Sequence, residues 1–369
     1  MKNLLIVNDS PVLAAVMKAV VETEPAYRNV MVASSGHAAL EIIEANSIDI
    51  VLMDIHMPGM NGVEATRRIV LKKPAIRVLI TTATITRNQP YVFQALQHGA
   101  VDFVRSPILK VREGTRVSQQ MLRSAGAKLL HKLSIISHMP RKSCRNDSQG
   151  KRPFSRVAQP VTAHKHRFSP RASRAPEMVS SSRSKWLCIG ASTGGPTTLA
   201  MLLSALPQPC PACLIVCQHI DAGFSEGMSR WLEEETGFVS HEVNGRVHPQ
   251  VNQIYMAPGG RNLLAMSGNL LTLGDPPEGQ LFTPNIDRLF HSIAQHHGAR
   301  ACGVVLTGMG KDGAEGLADI QSMGGVVFAQ DDESAIIDSM PKAARQSTGV
   351  VGKTVPEIAL AVNQWLKKP

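Results

Sequence analysis

Three residue types that together make an acyl-transfer site occupy comparable places in the C-terminal half of the sequence. Ser192 sits in the turn Gly190-Ala191-Ser192-Thr193-Gly194-Gly195-Pro196, His219 follows Gln218 after an apolar run, and Asp312 follows another such run in Thr307-Gly308-Met309-Gly310-Lys311-Asp312-Gly313. A serine becomes a nucleophile when a histidine takes its proton and an acid fixes the imidazole tautomer and stabilises its cation. A glycine-rich turn leading into a helix also exposes backbone N–H groups at a positive helix end, which suits an anion or an oxyanion. A phosphate cradle competes with that reading, although neither GxGxxG nor GxxxxGK[ST] is matched; nor is the turn the GxSxG elbow of the α/β-hydrolases. Each residue also has a plainer role: Ser192 as a helix cap, His219 as a satisfied turn residue, Asp312 as part of an Asp-Gly turn. Asp9 and Asp54 raise a second possibility near the N-terminus. Two carboxylates at neighbouring strand ends can hold a hard divalent cation, and a carboxylate neutralised in that way can accept a phosphoryl group. The plain alternative is that each caps a helix or turn.

For such side chains to meet, strands must end side by side. Residues 1 to about 110 alternate short β-branched runs with amphipathic stretches, predicting strands at Leu4 to Val7, Val30 to Ala33, Ile50 to Met53, Val78 to Thr81 and Phe103 to Val104. Five βα units imply a parallel sheet covered on both faces, with ligands at the carboxyl ends of its strands. Asp9 follows the first strand, where Ser10 and Pro11 open a helix as cap and first-turn pair, and Asp54 ends the third. From Lys185 the alternation resumes, with strands at Trp186 to Ile189, Ala212 to Cys217 and Ala301 to Leu306, each delivering one of the three acyl-transfer residues to the same sheet edge. The expected class is α/β: a (βα)5 domain over residues 1–120, a linker over 121–183, and a doubly wound α/β domain over 184–369.

Composition agrees with two folded units. The 369 residues, 43% hydrophobic and 18% charged, have an ordinary globular balance and room for two cores. No apolar run approaches the ~18 residues of a membrane span, and the run Leu4 to Val7 stops at Asn8 and Asp9, so neither membrane insertion nor a signal peptide is expected and the cytoplasm is the default location. The net charge of +10 invites nucleic acid, but 12 Lys and Arg against 2 acids fall between Met139 and Lys185, leaving 27 of each sign elsewhere. The excess lies in a Ser/Pro/Arg-rich stretch such as RFSPRASRAP, read as a disordered tether, and no specific nucleic-acid partner is expected. Weak contact between that linker and nucleic acid or an anionic membrane stays open. The six cysteines are scattered, and a disulfide framework is not expected. Cys210 and Cys213 have the spacing of a redox or zinc half-site but lack a second CxxC or a matching histidine cluster, and His296-His297 reads as a polar helix end.

The stretch VLMDIHMPGMNGVEA, with Asp9 behind the first strand and Thr82-Ala83 behind the fourth, resembles a two-component response-regulator receiver domain over about the first 110 residues. That resemblance implies Asp54 as the phosphoacceptor, Asp9 and Asp54 as magnesium ligands with His56 contributing its backbone carbonyl, and Thr82 as the hydroxyl that senses the phosphoryl group. Two departures bear on it. Asn8-Asp9 replaces the usual acidic pair, which predicts weaker magnesium binding. Arg105-Ser106-Pro107 puts Ser106 where receivers carry a lysine, and Arg105 points to the opposite face if the strand continues through it.

The segments IGASTGG, CQHI, YMAPGGRNL, PNIDRLF, LTGMGKDGAEGL and AQDDESAIIDSMPKAA resemble, in order and register, the chemotaxis protein-glutamate methylesterases across essentially all of residues 185–369. The resemblance implies Ser192 as nucleophile, His219 as general base, Asp312 as orienting acid, Thr193 beside the nucleophile and the Met309 amide as an oxyanion donor. It further implies a substrate, the glutamyl methyl ester of a methyl-accepting chemoreceptor, with glutamine deamidation through the same intermediate. No cofactor is expected for hydrolysis, a chemosensory histidine kinase is the implied partner, and the receiver is expected to pack over the cleft until phosphorylated. Asn262 and Ser339 depart from the family pattern, which places His and Gly there; both lie outside the three acyl-transfer residues, so altered substrate fit is expected. Asn8 and Ser106 also resemble methylesterases of Wsp-like systems that govern surface behaviour rather than flagellar steering. A DNA-binding regulator is set aside, because some 185 residues of βα alternation with balanced charge are no helix-turn-helix output. A catalytically idle scaffold remains the alternative, to be tested by Ser192→Ala.

Overall fold

The computed structural model describes residues 2–83, 85–109, 117–139, 184–280 and 283–368, leaving outside it most of the linker, including Cys144. The N-terminal unit builds a parallel five-stranded sheet from β1 (Lys2–Val7), β2 (Tyr27–Ala33), β3 (Ile50–Asp54), β4 (Arg77–Thr82) and β5 (Asp102–Arg105), in the order β2-β1-β3-β4-β5. Both faces are covered because both sets of alternating side chains are apolar. Leu4 and Ile6 pack on one side with Met17 and Val20, and Leu5 and Val7 on the other with Ile43 and Ile69. Helices α1 (Pro11–Val21), α2 (Gly36–Ala45) and α3 (Gly62–Lys72) begin where Ser10, Ser35 and Asn61 accept from the backbone amides of Leu13, Ala38 and Glu64. Helix α4 (Ile85–Gln97) follows β4.

The segment that the sequence assigns to the linker from residue 121 opens as structure. Helices α5 (Gln119–Ala125) and α6 (Ala127–His138) follow β5, and Leu129, Leu133 and Ile136 of α6 are buried against the Leu4 and Ile6 side of the sheet. At ~1.5–3 kcal/mol for each buried side chain, α6 is an integral part of the first core.

The second unit is a parallel six-stranded sheet formed by β6 (Lys185–Ala191), β7 (Ala212–Gln218), β8 (Val239–Glu242), β9 (Gln253–Met256), β12 (Ala301–Val305) and β13 (Val326–Ala329), in the order β13-β12-β6-β7-β9-β8. An antiparallel hairpin, β10 (Asn262–Met266) with β11 (Leu270–Gly274), stands beside it. Helices α7 (Gly195–Ser204), α8 (Ser225–Thr236), α9 (Ile286–His297), α10 (Ala314–Ser322), α11 (Ser339–Thr348) and α12 (Val355–Lys367) complete the unit. The chain moves one way from β6 to β7 and later returns to the other side of β6 with β12. That makes β6 the topological switch point, where open α/β sheets place their ligand crevice. No helix among the described residues is long and apolar enough to cross a membrane.

Candidate active site

Strand register delivers the site. Ala191 pairs with Gln218, so Ser192 and His219 leave their strands at the same level, and Val305 pairs with Gly190 on the other side. The amide of His219 donates to Ala191 O and that of Ser192 to Thr307 O, each at 3.0 Å, which joins the three loops by backbone bonds. Close approach demands glycine twice. A Cβ on Gly308 would lie 2.7 Å from Ser192 Cβ, and one on Gly195 would lie 2.0 Å from Gln218 Oε1.

His219 Nδ1 lies 3.1 Å from Ser192 Oγ, and its Nε2 lies 2.7 Å from Asp312 Oδ2. In this arrangement Nε2–H donates to the carboxylate, and Nδ1 is the nitrogen that can accept the serine proton. The start of α9 supplies Asp312 with further donors: Asn285 Nδ2 and Asp287 N to Oδ1, each at 2.9 Å, and Ile286 N to Oδ2 at 2.8 Å. Burial alone would push the Asp312 carboxyl up, but the hydrogen bond and charge of His219, with the Ile286 and Asp287 amides, outweigh it and hold the group below its ordinary value. Neighbouring Asp287 is lifted to about 6, chiefly by burial and then by the Asp312 charge, against the bond from Gly316 N. Asn285, the α9 amides and Gln218 had not been singled out from the sequence. Backbone donors carry no residue signature, and the only hint was that PNIDRLF had the form of a helix start.

Both departures noted in this half prove to be tied to site loops. Asn262 Oδ1 accepts from Asn285 N at 3.0 Å, within a paired amide contact to Gln280, and Ser339 Oγ donates to Gly308 O at 3.1 Å and accepts from Gly310 N at 3.0 Å. Both therefore act on the loops that carry the site. Thr193 and Met309 line the same cleft as Ser192 and His219.

That cleft, about 390 Å³, is closed on its far side by Phe103, Val104 and the α6 residues Lys128, His131, Lys132 and Ile135. Gln89 on α4 donates to Gly223 O and accepts from Arg230, Gln97 bonds Glu235, and Lys128 pairs with Asp221. Phe93 stacks on Trp231 at 5.3 Å between ring centroids, and Phe103 meets Phe224 at 4.7 Å.

On the N-terminal sheet, Asp54 ends β3 beside Asp9, with exposed His56 next to it. Burial, opposed by the bond from Ile55 N at 2.9 Å and reinforced by the Asp9 charge, lifts the Asp54 carboxyl to about 6. Two carboxylates and a carbonyl are the hard oxygen donors that magnesium takes, and repulsion between Asp9 and Asp54 is what a cation would relieve, so the residues fit the ion. Asn8 adds little to that set, since its Oδ1 is engaged by Ser10 N at 2.8 Å. Thr82 is fully buried at the end of β4 and its carbonyl accepts from Ser106 N at 2.9 Å. Ser106 Oγ is buried with no partner among the described residues, while Arg105 is exposed, pointing away as its strand position requires.

Cys210 and Cys213 are buried free thiols, and burial pushes Cys213 up to about 12, which makes a reactive pair a poor reading. His297 is buried and stacked on Trp186 at 3.8 Å, while His296 is half-buried.

A CheB methylesterase family model matches residues 187–362, and a response regulator receiver domain model matches residues 4–113. The protein-glutamate methylesterase/protein-glutamine glutaminase of group 3 operon from Pseudomonas putida is 34% identical over 339 residues, covering 92% of this chain and 91% of that protein. A protein-glutamate methylesterase/protein-glutamine glutaminase 1 from Cupriavidus pinatubonensis is 33% identical over 356 residues, covering 96% and 94%. The Thermotoga maritima CheB methylesterase catalytic domain superposes with a TM-score of 0.47 at 27% identity, covering 49% of this chain and 98% of that one.

Proposed function

The chain belongs to the CheB methylesterase family with an N-terminal response-regulator receiver domain, and from that premise we propose that it hydrolyses glutamyl methyl esters on methyl-accepting chemoreceptors in the cytoplasm and deamidates receptor glutamines at the same site. The observation that carries this reading is the Ser192–His219–Asp312 relay, 3.1 and 2.7 Å long, at the switch point of the sheet. His219 Nδ1 takes the Ser192 proton as Oγ attacks the ester carbonyl. The negative oxygen of the tetrahedral adduct is held by backbone N–H groups, with those of Thr193 and Met309 assigned to that role. As the adduct collapses, His219 returns the proton to the departing methoxide, methanol leaves, and an acyl-enzyme remains. Water, deprotonated by His219, attacks that ester, and its collapse frees glutamate and restores the Ser192 hydroxyl. With a glutamine substrate the first product is ammonia.

Asp312 keeps the imidazole in the tautomer whose Nδ1 carries no proton, and its charge is balanced by His219 when the ring is protonated. The residues 1–139 form the regulatory unit, 140–183 the tether and 184–369 the catalytic unit. Asp54 is the phosphoacceptor for a chemosensory histidine kinase; Asp9, Asp54 and the His56 carbonyl would hold magnesium, which neutralises charge during phosphoryl transfer. Thr82 senses the product. The cover of α6 and β5 residues over the cleft accounts for restraint before phosphorylation. The test is methanol release from membranes carrying a methylated chemoreceptor, comparing the native protein with Ser192→Ala. Release is expected to vanish with the serine; no release from the native protein, even after residues 1–139 are removed, would overturn the esterase reading.

A further inference from the structure

The two proposed oxyanion donors are both backbone amides, and in a trans peptide the N–H points opposite to the C=O of the same planar unit. The direction of the Thr193 N–H is therefore set by whatever holds the Ser192 carbonyl, and that of the Met309 N–H by whatever holds the Gly308 carbonyl. Each carbonyl is held by one backbone amide and one side chain. Ser192 O accepts from Gly195 N and from Gln218 Nε2, both at 2.8 Å. Gly308 O accepts from Met340 N at 3.0 Å and from Ser339 Oγ at 3.1 Å.

Both peptides need such restraint. Met309 is flanked by Gly308 and Gly310, the latter at φ +98°, and the Ser192 turn runs on into Gly194 at φ +77°. Glycine leaves the backbone free to rotate at little steric cost, so the Gly308–Met309 peptide plane is not fixed by local sterics, and the Ser192–Thr193 plane borders a turn that is open on its Gly194 side. Gln218 also donates to His219 O at 3.0 Å, and Ser339 also accepts from Gly310 N at 3.0 Å. Each side chain thus spans its turn instead of touching one atom. Gln218 is 4% exposed, which keeps water from competing for the carbonyl.

We infer that Ser339 and Gln218 are positioning residues that aim the two oxyanion-binding N–H groups by clamping the carbonyls of the same peptides. The inference rests on the reading of Thr193 and Met309 as oxyanion donors. Loss of a whole oxyanion donor costs about 10²–10³ in kcat. Here one amide bond to each carbonyl survives, so loss of either side-chain clamp is expected to cost roughly tenfold.

The test uses the full chain and an alkylboronic acid, which adds to the serine hydroxyl to form a tetrahedral anionic adduct whose oxygen occupies the oxyanion position. Inhibition constants and methanol-release kinetics would be measured for the native protein, Ser339→Ala, Ser339→Thr, Gln218→Ala and Ser192→Ala. Ser339→Ala and Gln218→Ala are expected to lower kcat about tenfold with KM unchanged and to weaken the boronic acid in the same ratio. Ser339→Thr, which keeps the hydroxyl, should restore both. Should Ser339→Ala and Gln218→Ala keep the native kcat and boronic acid affinity while Ser192→Ala loses both, the positioning role is wrong and the oxyanion reading stands. If the boronic acid binds the native protein no better than it binds Ser192→Ala, the active-site reading fails and takes this inference with it. A rise in KM or a fall in thermal stability without a matched loss of kcat and boronic acid affinity would mark the two side chains as merely structural.

Discussion

Asp312 shows how far one side chain can be specified by its surroundings. Its two oxygens accept from His219, Asn285, Ile286 and Asp287, and every one of those contacts favours the carboxylate. Asp312→Asn retains the volume but turns an NH₂ toward donors, and His219 must then rotate its tautomer so that a proton sits on the nitrogen facing Ser192. Turnover on the methyl ester is expected to fall on the order of 10³–10⁴-fold with little change in substrate binding, measured as kcat and KM for methanol release. A loss below tenfold would mean that the carboxylate does not fix the tautomer. Ser192, His219 and Asp312 were legible in the sequence because their chemistry is in their side chains and each follows a readable strand. The donors around Asp312 were not, because two of the three are main-chain amides whose placement depends on a helix start distant in sequence. Asn262 and Ser339 were noticed as departures, yet their bonds to Asn285 N and to the Gly308–Gly310 turn emerge only from the fold.

At the scale of elements, helix α6 and the β6–α9 contact carry the instructive cases. The apolar spacing Leu129, Leu133, Ile136 was present in the sequence, but it borders a polar, basic stretch, and no local signal says that a helix after residue 121 belongs to the sheet before it. Leu133 is fully buried against Leu4, Ile6 and Met17, so Leu133→Ala leaves a cavity, and a loss of about 2–5 kcal/mol is expected in denaturant unfolding of the first unit. If α6 were only the start of a tether, the midpoint would not move. Eight of the strands were legible to within three residues because their apolar runs are short and bounded, whereas β8 to β11 and β13 were left unassigned, being short and mostly of mixed burial. At the end of α9, His297 stacks on Trp186 with neither ring nitrogen bonded among the described residues, and burial lowers its pKa to about 4. The unfolded chain binds a proton near pH 6.5 and the folded chain only near 4, so this histidine leaves stability level above pH 6.5 and erodes it as pH falls from 6.5 to 4. The erosion is on the order of 3 kcal/mol over the window. His297→Phe keeps the stacked ring and removes the titration, and its unfolding free energy should fall less steeply than the native protein's between pH 6.5 and 5. Parallel slopes would place the acid sensitivity elsewhere.

The two units share an apolar seam, in which Phe93 of α4 and Phe103 of β5 meet Trp231 and Phe224 of the second unit, and the polar bonds of Gln89 fasten its edge. That seam sets the receiver residues Phe103, His131 and Lys132 across the cleft from Ser192. On the proposed function, a chemoreceptor helix would have to displace these residues to reach Ser192, and the rate without phosphorylation would then reflect how often the seam opens. Gln89 is the contact whose loss disturbs neither core: it is buried between α4 and α8, and a Cβ on Gly227 would lie only 2.6 Å from its carboxamide. Gln89→Ala removes two bonds across the seam, each worth about 1 kcal/mol net. Methanol release by the unphosphorylated protein is therefore expected to rise by up to roughly thirtyfold, while the rate with residues 1–139 deleted sets the ceiling that both proteins approach. An unchanged basal rate in Gln89→Ala, with the deletion still activating, would show that the aromatic contacts alone hold the units together. If the deletion fails to activate as well, the cover does not limit access, and control by Asp54 must reach Ser192 by a route other than this seam.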